Sequence, residues 1–206
     1  MSDRPYILAL DVATTTGIAE GEVGSIPSLW SEKFKTSKED DHADVFGRCL
    51  KWMANRLDER NGQRKPDAVY IEAPLTPGAP GVKTNSDTTL RLIGMWGALA
   101  GAVKCKRGIV YREASVQQVR RVFIGHGTVD GGGQEAKRRV MAMCALLGWH
   151  PNDDNAGDAA ALWHYAGTRH AANYTAIITP MMQAACAARI GRNEVDPESI
   201  FKKELA

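Results

Sequence analysis

The sequence predicts an α/β fold in which a mixed sheet is covered by helices on both sides. Two observations support this: short apolar runs bounded by turn residues come first along the chain, and segments with helical periodicity then alternate with further short runs. A chain of 206 residues with 44% hydrophobic and 24% charged residues has the composition of an ordinary globular protein. We therefore expect one domain with an added segment, and we exclude disordered, collagen-like and disulfide-stapled classes.

The first third of the chain predicts three strands and one helix. The apolar run from Tyr6 to Leu10 ends at Asp11, small and hydroxylated residues follow, and an extended pattern resumes at Gly17. A third strand is predicted near residues 29–34. Apolar residues then recur at steps of four, three and four, which is the spacing of one helix face that ends near residue 61: Phe46, Leu50, Met53 and Leu57.

The middle of the chain alternates strands with helices. A strand of the buried type covers residues 68–71 and ends at Glu72, and a loop rich in proline and glycine follows it. A long helix is predicted over about residues 86–106, and a strand over residues 109–112 comes next. Strands that alternate with helices in this way favour parallel pairing within the sheet.

Glycine recurs within the long helix, where each one weakens the helix by about 1 kcal/mol relative to alanine. We therefore expect another backbone to approach the helix closely at Gly94, Gly97 and Gly101. This close-packing face is a candidate dimer interface. Met95 and Trp96, on the same helix, fit a dimer interface and an intramolecular core equally well.

Helices dominate the last part of the chain. They are predicted over residues 115–123, 134–147 and 154–166, with a glycine-rich loop after the first of them. We expect residues 1–166 to form one domain and residues 167–206 to form a C-terminal helical extension.

No apolar run is long enough to span a membrane, and the first residues carry charges where a secretory signal needs an apolar stretch. We therefore expect a cytoplasmic protein with no membrane partner. The cysteines lie far apart and form no C-x-x-C pair, which argues against a zinc or redox motif. We interpret all four as buried, reduced thiols: Cys49, Cys105, Cys144 and Cys186.

The formal charge of +2 does not by itself suggest a nucleic-acid partner. It conceals an uneven distribution, because nine of the basic residues but only three of the acidic residues lie between Lys104 and Arg139. That stretch carries +6 and the remainder −4. A local excess of this kind suits a phosphate-binding face, although a set of solvated helix faces would look the same.

Acidic residues stand at the ends of predicted elements. Asp11 and Glu72 each follow a buried strand, so if the two strands are parallel neighbours both side chains leave the same edge of the sheet. Asp154, Asn155 and Asp158 open the last predicted helix, where Asp154 and Asp158 share one face. Alternatively, Asp153, Asp154 or Asn155 simply caps the helix.

Three acidic clusters without accompanying Cys or His favour hard cations, Mg²⁺ or Mn²⁺, over Zn²⁺. Two such ions can activate water and stabilise the leaving oxygen of a phosphodiester. The pattern therefore indicates hydrolysis of nucleic acid.

Four sequence segments carry a family resemblance: LALDVATTTGIA around Asp11, VYIE ending at Glu72, RRVFIGHG followed by EAKRRV, and DDNAGDAAALW around Asp158. Together, and in this order over about residues 6–166, they resemble the RuvC family of Holliday junction resolvases, within the RNase H-like superfamily. The resemblance implies a three-layer α/β/α fold around a five-stranded mixed sheet of order 3-2-1-4-5, in which strand 2 is antiparallel.

The resemblance also implies a homodimer that nicks four-way DNA with Mg²⁺ or Mn²⁺, two ions per active site, with other branched DNA as further candidate substrates. By the family pattern Asp11, Glu72 and Asp158 are catalytic metal ligands. The family has an acid or His at the position of Asn155, so we expect Asp154, one residue earlier, to be the fourth catalytic metal ligand, with Asn155 as the alternative. This departure motivates an alternative function, a catalytically weakened branched-DNA-binding protein of the same fold.

Basic residues complete the expected site. Lys137 matches a basic position of the family motif and is expected near the scissile phosphate as a catalytic residue, while Arg120 and Arg121 are expected to contact the DNA backbone. Leu75 occupies a region where the family places a wedge near the junction centre, and packing against the sheet is the competing interpretation.

Overall fold

The computed structural model describes residues 4–59, 62–74 and 86–171, which form a five-stranded sheet between two layers of helices. The strands are β1 (Tyr6–Asp11), β2 (Thr16–Glu22), β3 (Ser28–Glu32), β4 (Ala68–Glu72) and β5 (Val110–Ala114). The helices are α1 (His42–Arg56), α2 (Ser86–Lys104), α3 (Val116–Ile124), α4 (Gly132–Leu146) and α5 (Asp154–His170).

The strand order is β3-β2-β1-β4-β5, as the resemblance implied. β2 runs antiparallel to both of its neighbours, whereas β1 with β4 and β4 with β5 are parallel pairs. Leu10 lies opposite Ile71 in the β1–β4 pair, so the next residues, Asp11 and Glu72, leave the sheet at the same edge. We call this edge the carboxylate edge.

The central strand β1 is buried on both faces, which explains its unbroken apolar sequence. Leu8 and Leu10 point into a core formed with α1 and α2. Ile7 and Ala9 point into a second core, formed with α3, α4 and α5. The alternation of side chains along the strand thus holds one helical layer on each face.

α1 exists as predicted, but its buried stripe is rotated from the expected one. Asp41 and Asp44 form a capping box at its start, and Leu50 is 50% exposed. The buried stripe runs through Val45 and Cys49 to Met53 instead. Apolar stripes one residue apart overlap on a helix, so periodicity alone does not decide which one the sheet covers.

α2 is approached closely at one of its three glycines, by a side chain and not by the backbone that was expected. A Cβ on Gly94 would lie 2.0 Å from Cζ of Phe46, so the Phe46 ring of α1 packs directly over that glycine. At Gly97 and Gly101 no such approach occurs within the described part of the chain, where a Cβ would meet nothing within 4 Å, so for these two the expectation stays a prediction about a second chain. Met95 belongs to the core, and the half-buried Trp96 packs against the same core.

Large aromatic residues fill the opposite layer. Trp149 stacks on Phe123 at 6.0 Å and meets Trp163 edge-on at 5.7 Å. The indole Nε1 of Trp163 donates a hydrogen bond to the carbonyl of Ile7, which ties α5 to β1. Beside this cluster, burial lowers the pKa of His164 to about 4.

Several smaller expectations have mixed outcomes. Burial raises the pKa values of the Cys49 and Cys144 thiols to about 12, but Cys105 is exposed, contrary to prediction, and Cys186 lies outside the described residues.

α5 ends at His170, four residues later than expected, and the rest of the predicted C-terminal extension from residue 172 lies outside the described residues. None of the helices described is long and apolar enough to cross a bilayer.

Candidate active site

A buried acid, Asp11, and a half-buried one, Glu72, meet at the carboxylate edge. Asp11 is the last residue of β1 and is 9% exposed, and Glu72 is the last residue of the parallel neighbour β4. Burial, reinforced by the charge of Asp158, raises the pKa of Asp11 to about 7. Burial and the charge of Asp11 raise the pKa of Glu72 well above its ordinary value. The two carboxyl groups are therefore close enough to oppose each other's ionisation.

Asp158 joins them from the helical layer. It lies one turn inside α5, where burial raises its pKa, and its charge raises the pKa values of Asp11 and Glu72. The structure thus brings together three of the predicted acids from three elements that are distant in sequence. We call Asp11, Glu72 and Asp158 the carboxylate cluster.

A close backbone contact sets the position of α5. Gly17 lies opposite Asp11 in the β1–β2 pair, and a Cβ on Gly17 would lie only 1.9 Å from the carbonyl oxygen of Asn155. Only glycine leaves room for the first turn of α5 at this point of β2. Asp158 follows Asn155 by less than one turn, so this contact determines how deeply Asp158 enters the cluster.

Asp153 anchors the same turn from the other side. Its Oδ1 accepts hydrogen bonds from the backbone N–H of Ala156 at 2.8 Å and from the hydroxyl of Ser31 on β3 at 2.7 Å. Asp153 is therefore the N-cap of α5 and also a tether to the sheet. The capping interpretation, which the sequence left open for the acids of this segment, applies to Asp153.

Asp154 has a different partner. Nζ of Lys137 on α4 donates to its Oδ2 at 2.5 Å, and this hydrogen bond lowers the pKa of Asp154. The Asp154 side chain is 45% exposed, unlike the members of the carboxylate cluster. Asn155 is half-buried, with its backbone carbonyl against Gly17.

Two cations face the carboxylate cluster. The positive charges of Arg120 on α3 and Lys137 on α4 both act to lower the pKa values of Asp11, Glu72 and Asp158. The Nε atom of Arg120 is buried and has no hydrogen-bond partner among the residues that the structure describes. Basic side chains at an acidic site provide charge for an anionic substrate.

A cavity of about 190 Å³ lies beside Arg120, between α3 and the start of α4. The glycine-rich loop forms one wall: Gly125 ends α3 at φ 82° and Gly131 precedes α4 at φ 94°, conformations that favour glycine. The side chain of Val129 is buried and anchors this loop. The loop therefore serves as a helix connector that also shapes a cavity lined in part by Arg120.

The basic residues between Lys104 and Arg139 do not all lie at the same edge of the sheet. The segment before β5, with Lys104, Lys106 and Arg107, lies at the edge of the sheet opposite to the carboxylate edge, because β5 runs parallel to β4 and begins there. The prediction of a single phosphate-binding face was therefore wrong for these residues. Arg138 and Arg139 both pair with Glu135 on the exposed side of α4.

Of the residues expected to contact DNA, Arg120 and Lys137 face the cluster, and Arg121 is exposed on the last turn of α3. Leu75 lies outside the described residues.

The donor chemistry of the cluster fits a hard divalent cation, because carboxylate oxygens are the groups that Mg²⁺ and Mn²⁺ prefer. The raised pKa values of the three carboxylates come from their desolvation first and from repulsion second, and a bound cation would relieve the repulsion. Among the described residues, however, no three His, Cys, Asp or Glu side chains already stand as a ready-made ligand set. The cluster is therefore coupled electrostatically without being preformed as a cage.

Comparison with known proteins identifies the fold. No family model and no curated protein matches the sequence. The structure resembles Thermus thermophilus RuvC with a TM-score of 0.54 and 20% identity, over 84% of this chain and 96% of that one. T. thermophilus RuvC in complex with Holliday junction substrate gives a TM-score of 0.55 and 21% identity, over 77% and 90%.

The chain has the RuvC fold. The yeast mitochondrial Holliday junction resolvase Ydc2 is a more distant likeness, with a TM-score of 0.45 and 12% identity over 87% of this chain and 82% of that one. The RuvC fold confirms the sheet topology and the resemblance inferred from the motifs. Motif reasoning missed the contact at Gly17, although a glycine inside a strand is a recognised sign of close backbone approach.

We expect Asp11→Asn to stabilise the metal-free protein at pH 8. The pKa of Asp11 is about 7 in the folded state against 3.8 ordinarily, so the folded protein binds a proton more tightly than the unfolded chain does. The free energy of unfolding therefore falls as pH rises from about 4 to 7. Replacing the buried charge should raise the free energy of unfolding by on the order of 2 to 4 kcal/mol at pH 8, and by little near pH 4. Urea unfolding with a chelator at both pH values measures this difference.

The exposed Glu39 provides the matched control, because Glu39→Gln removes a carboxylate that is not buried. A variant Asp11→Asn that is no more stable than the wild type at pH 8 would contradict the electrostatic coupling of the cluster.

We expect Gly17→Ala to destabilise the protein by about 3 kcal/mol, because the added methyl group overlaps a backbone oxygen that cannot rotate away. Gly47→Ala is the control: Gly47 is exposed on α1 with open space at its Cβ, and alanine there should stabilise the helix by up to about 1 kcal/mol. Denaturant unfolding of both variants tests the signs. Equal stability of Gly17→Ala and the wild type would disprove the tight seating of α5.

Proposed function

We propose that this protein is a metal-dependent endonuclease that nicks four-way DNA junctions by hydrolysing phosphodiester bonds. The observation that carries the proposal is the carboxylate cluster, in which the buried Asp11 and the half-buried Glu72 and Asp158 are electrostatically coupled at the carboxyl ends of two parallel strands. The choice of a branched DNA substrate is supported by the RuvC fold, since one T. thermophilus protein of this fold was solved with Holliday junction substrate.

Asp11, Glu72 and Asp158 are the proposed ligands of Mg²⁺ or Mn²⁺, with two ions per active site. When bound, the ions would activate water and stabilise the leaving oxygen. The fourth ligand is Asp154 or, in its place, Asn155. In the chain itself, the sheet edge and the first turn of α5 hold the carboxylates in place, and their burial strengthens every electrostatic interaction at the site.

Lys137 and Arg120 supply the positive charge that a phosphodiester needs near three carboxylates. Both cations face the cluster, so they offset the repulsion between these acids and the DNA backbone. Arg121, exposed on α3, is the proposed contact to a neighbouring phosphate. The cavity beside Arg120 would accept part of the backbone that flanks the cleaved bond.

A homodimer is proposed because nicking both strands of a junction requires two sites. The candidate interface is an open stripe along one face of α2. Leu90 is 58% exposed, Ile93 is 37% exposed, and Gly97 and Gly101 continue the same face with open space at each Cβ. Glycines on an open helix face allow the close approach of a second backbone, as the sequence suggested for this helix.

The proposal predicts cleavage of labelled four-way DNA in the presence of Mn²⁺ or Mg²⁺, and none with a chelator. Asp11→Asn should lower the cleavage rate at least about 10²-fold, because the site loses a ligand charge, while junction binding in a gel-shift assay persists. Linear duplex and three-way DNA in the same gel define the substrate range, and Glu39→Gln serves as the active control.

Full activity of Asp11→Asn would disprove the assignment of the site. Junction binding by the wild-type protein without cleavage under any divalent metal would favour the alternative, a branched-DNA-binding protein with a weakened site.

The proposed dimer predicts that Leu90→Glu sediments as a monomer under conditions in which the wild type sediments as a dimer, because a buried charge without a partner opposes association. Ile26→Glu is the matched control, since Ile26 is 63% exposed at a distant turn between β2 and β3. Sedimentation velocity at micromolar concentration distinguishes the two. A monomeric wild type, or a dimeric Leu90→Glu variant, would contradict this interface.

A further inference from the structure

One polar contact joins α4 to the carboxylate edge. Lys137 reaches from α4 to the first turn of α5, where its ammonium group donates to Asp154 at 2.5 Å. Asp158 lies four residues beyond Asp154 and so shares its helix face. The same ammonium group also interacts electrostatically with Asp158 and Asp11. Lys137 therefore lies between an outer carboxylate, to which it is bonded, and the buried carboxylate cluster.

The outer carboxylate differs from the cluster in environment. The Asp154 side chain is 45% exposed, and the N-terminus of α5 favours its negative charge. Oδ2 of Asp154 accepts a hydrogen bond from Lys137 on α4. The members of the carboxylate cluster lie instead on β1, β4 and the next turn of α5. Asp154 already has a cationic partner supplied by the chain.

A lysine side chain alone is a flexible point charge with high rotamer entropy. Without a partner, the Lys137 ammonium group would be free to turn to solvent or to pair directly with the carboxylate cluster. The bond to Asp154 restricts it to the margin of the cluster, where a phosphate approaching the cluster would meet it. Geometry of this kind contributes to catalysis by holding a charge in place before the substrate arrives.

We propose that Asp154 is a positioning residue, which holds the Lys137 ammonium group for the phosphate, and that it is not a metal ligand. This inference rests on the proposed nuclease function and assigns the metal to the carboxylate cluster without Asp154. Asp154 then acts on catalysis mainly through its hydrogen bond to Lys137.

Calorimetric titration of the full-length protein with Mn²⁺ tests the metal assignment without using activity. Asp154→Asn should bind Mn²⁺ within threefold of the wild-type affinity, whereas Asp158→Asn should bind at least tenfold more weakly. Glu135→Gln is the matched control on α4, because it removes a carboxylate that pairs only with the exposed Arg138 and Arg139 among the contacts the structure gives it.

Single-turnover cleavage of a four-way junction tests the positioning role. Asp154→Asn should lower the cleavage rate about tenfold with little change in junction affinity, and Asp154→Glu should restore part of the loss. In the Lys137→Met background, adding Asp154→Asn should change the rate by less than threefold, because only the through-space effect of the Asp154 charge on Asp11 and Asp158 then remains.

Several results would overturn the inference alone, given a wild type that binds Mn²⁺ and cleaves the junction. They are a tenfold loss of Mn²⁺ affinity in Asp154→Asn, unchanged cleavage by that variant, and a further tenfold loss of rate when it is added to Lys137→Met. A wild type that neither binds Mn²⁺ nor cleaves would instead overturn the proposed function, and this inference with it.

Discussion

The seating of α5 against β2 at Gly17 is the contact on which the candidate site depends. A glycine opposite Asp11 lets the backbone of Asn155 approach so closely that any side chain would collide with it. The cap at Asp153 and its bond to Ser31 hold the same turn against the sheet. Asp158 reaches the strand ends because this turn is held on both sides. The absence of a side chain at Gly17 therefore determines the geometry of the carboxylate cluster.

The cluster itself opposes folding. Three carboxylates with raised pKa values, one of them buried and two half-buried, cost free energy at neutral pH, and Arg120 and Lys137 offset only part of it. Two separate cores hold the strands and α5 in place against this repulsion, and the Trp163 bond to the Ile7 carbonyl ties α5 to β1. Local repulsion retained by a rigid scaffold is typical of sites that bind cations.

Much of this arrangement could be predicted from the order of the residues. Asp11 and Glu72 each end a strand whose apolar run is continuous, so their meeting at one edge followed from parallel pairing. The rotation of α1 could not be predicted, because Leu50 and Cys49 lie on overlapping apolar stripes and only contact with the sheet selects one. The division of the basic stretch also required the topology, since charge along a sequence does not show which edge of the sheet receives it.

By itself, the sequence determined the element order, the sheet topology through its family resemblance, and the three acids that meet at the carboxylate edge, because strand ends and helix starts are local properties of the chain. Only the tertiary structure decided the partners of the remaining residues. Asp153 and Asp154 are adjacent and chemically identical, yet one caps α5 and the other pairs with Lys137. Their difference arises from β3 on one side and α4 on the other, and such long-range neighbours leave no periodic signal in the sequence.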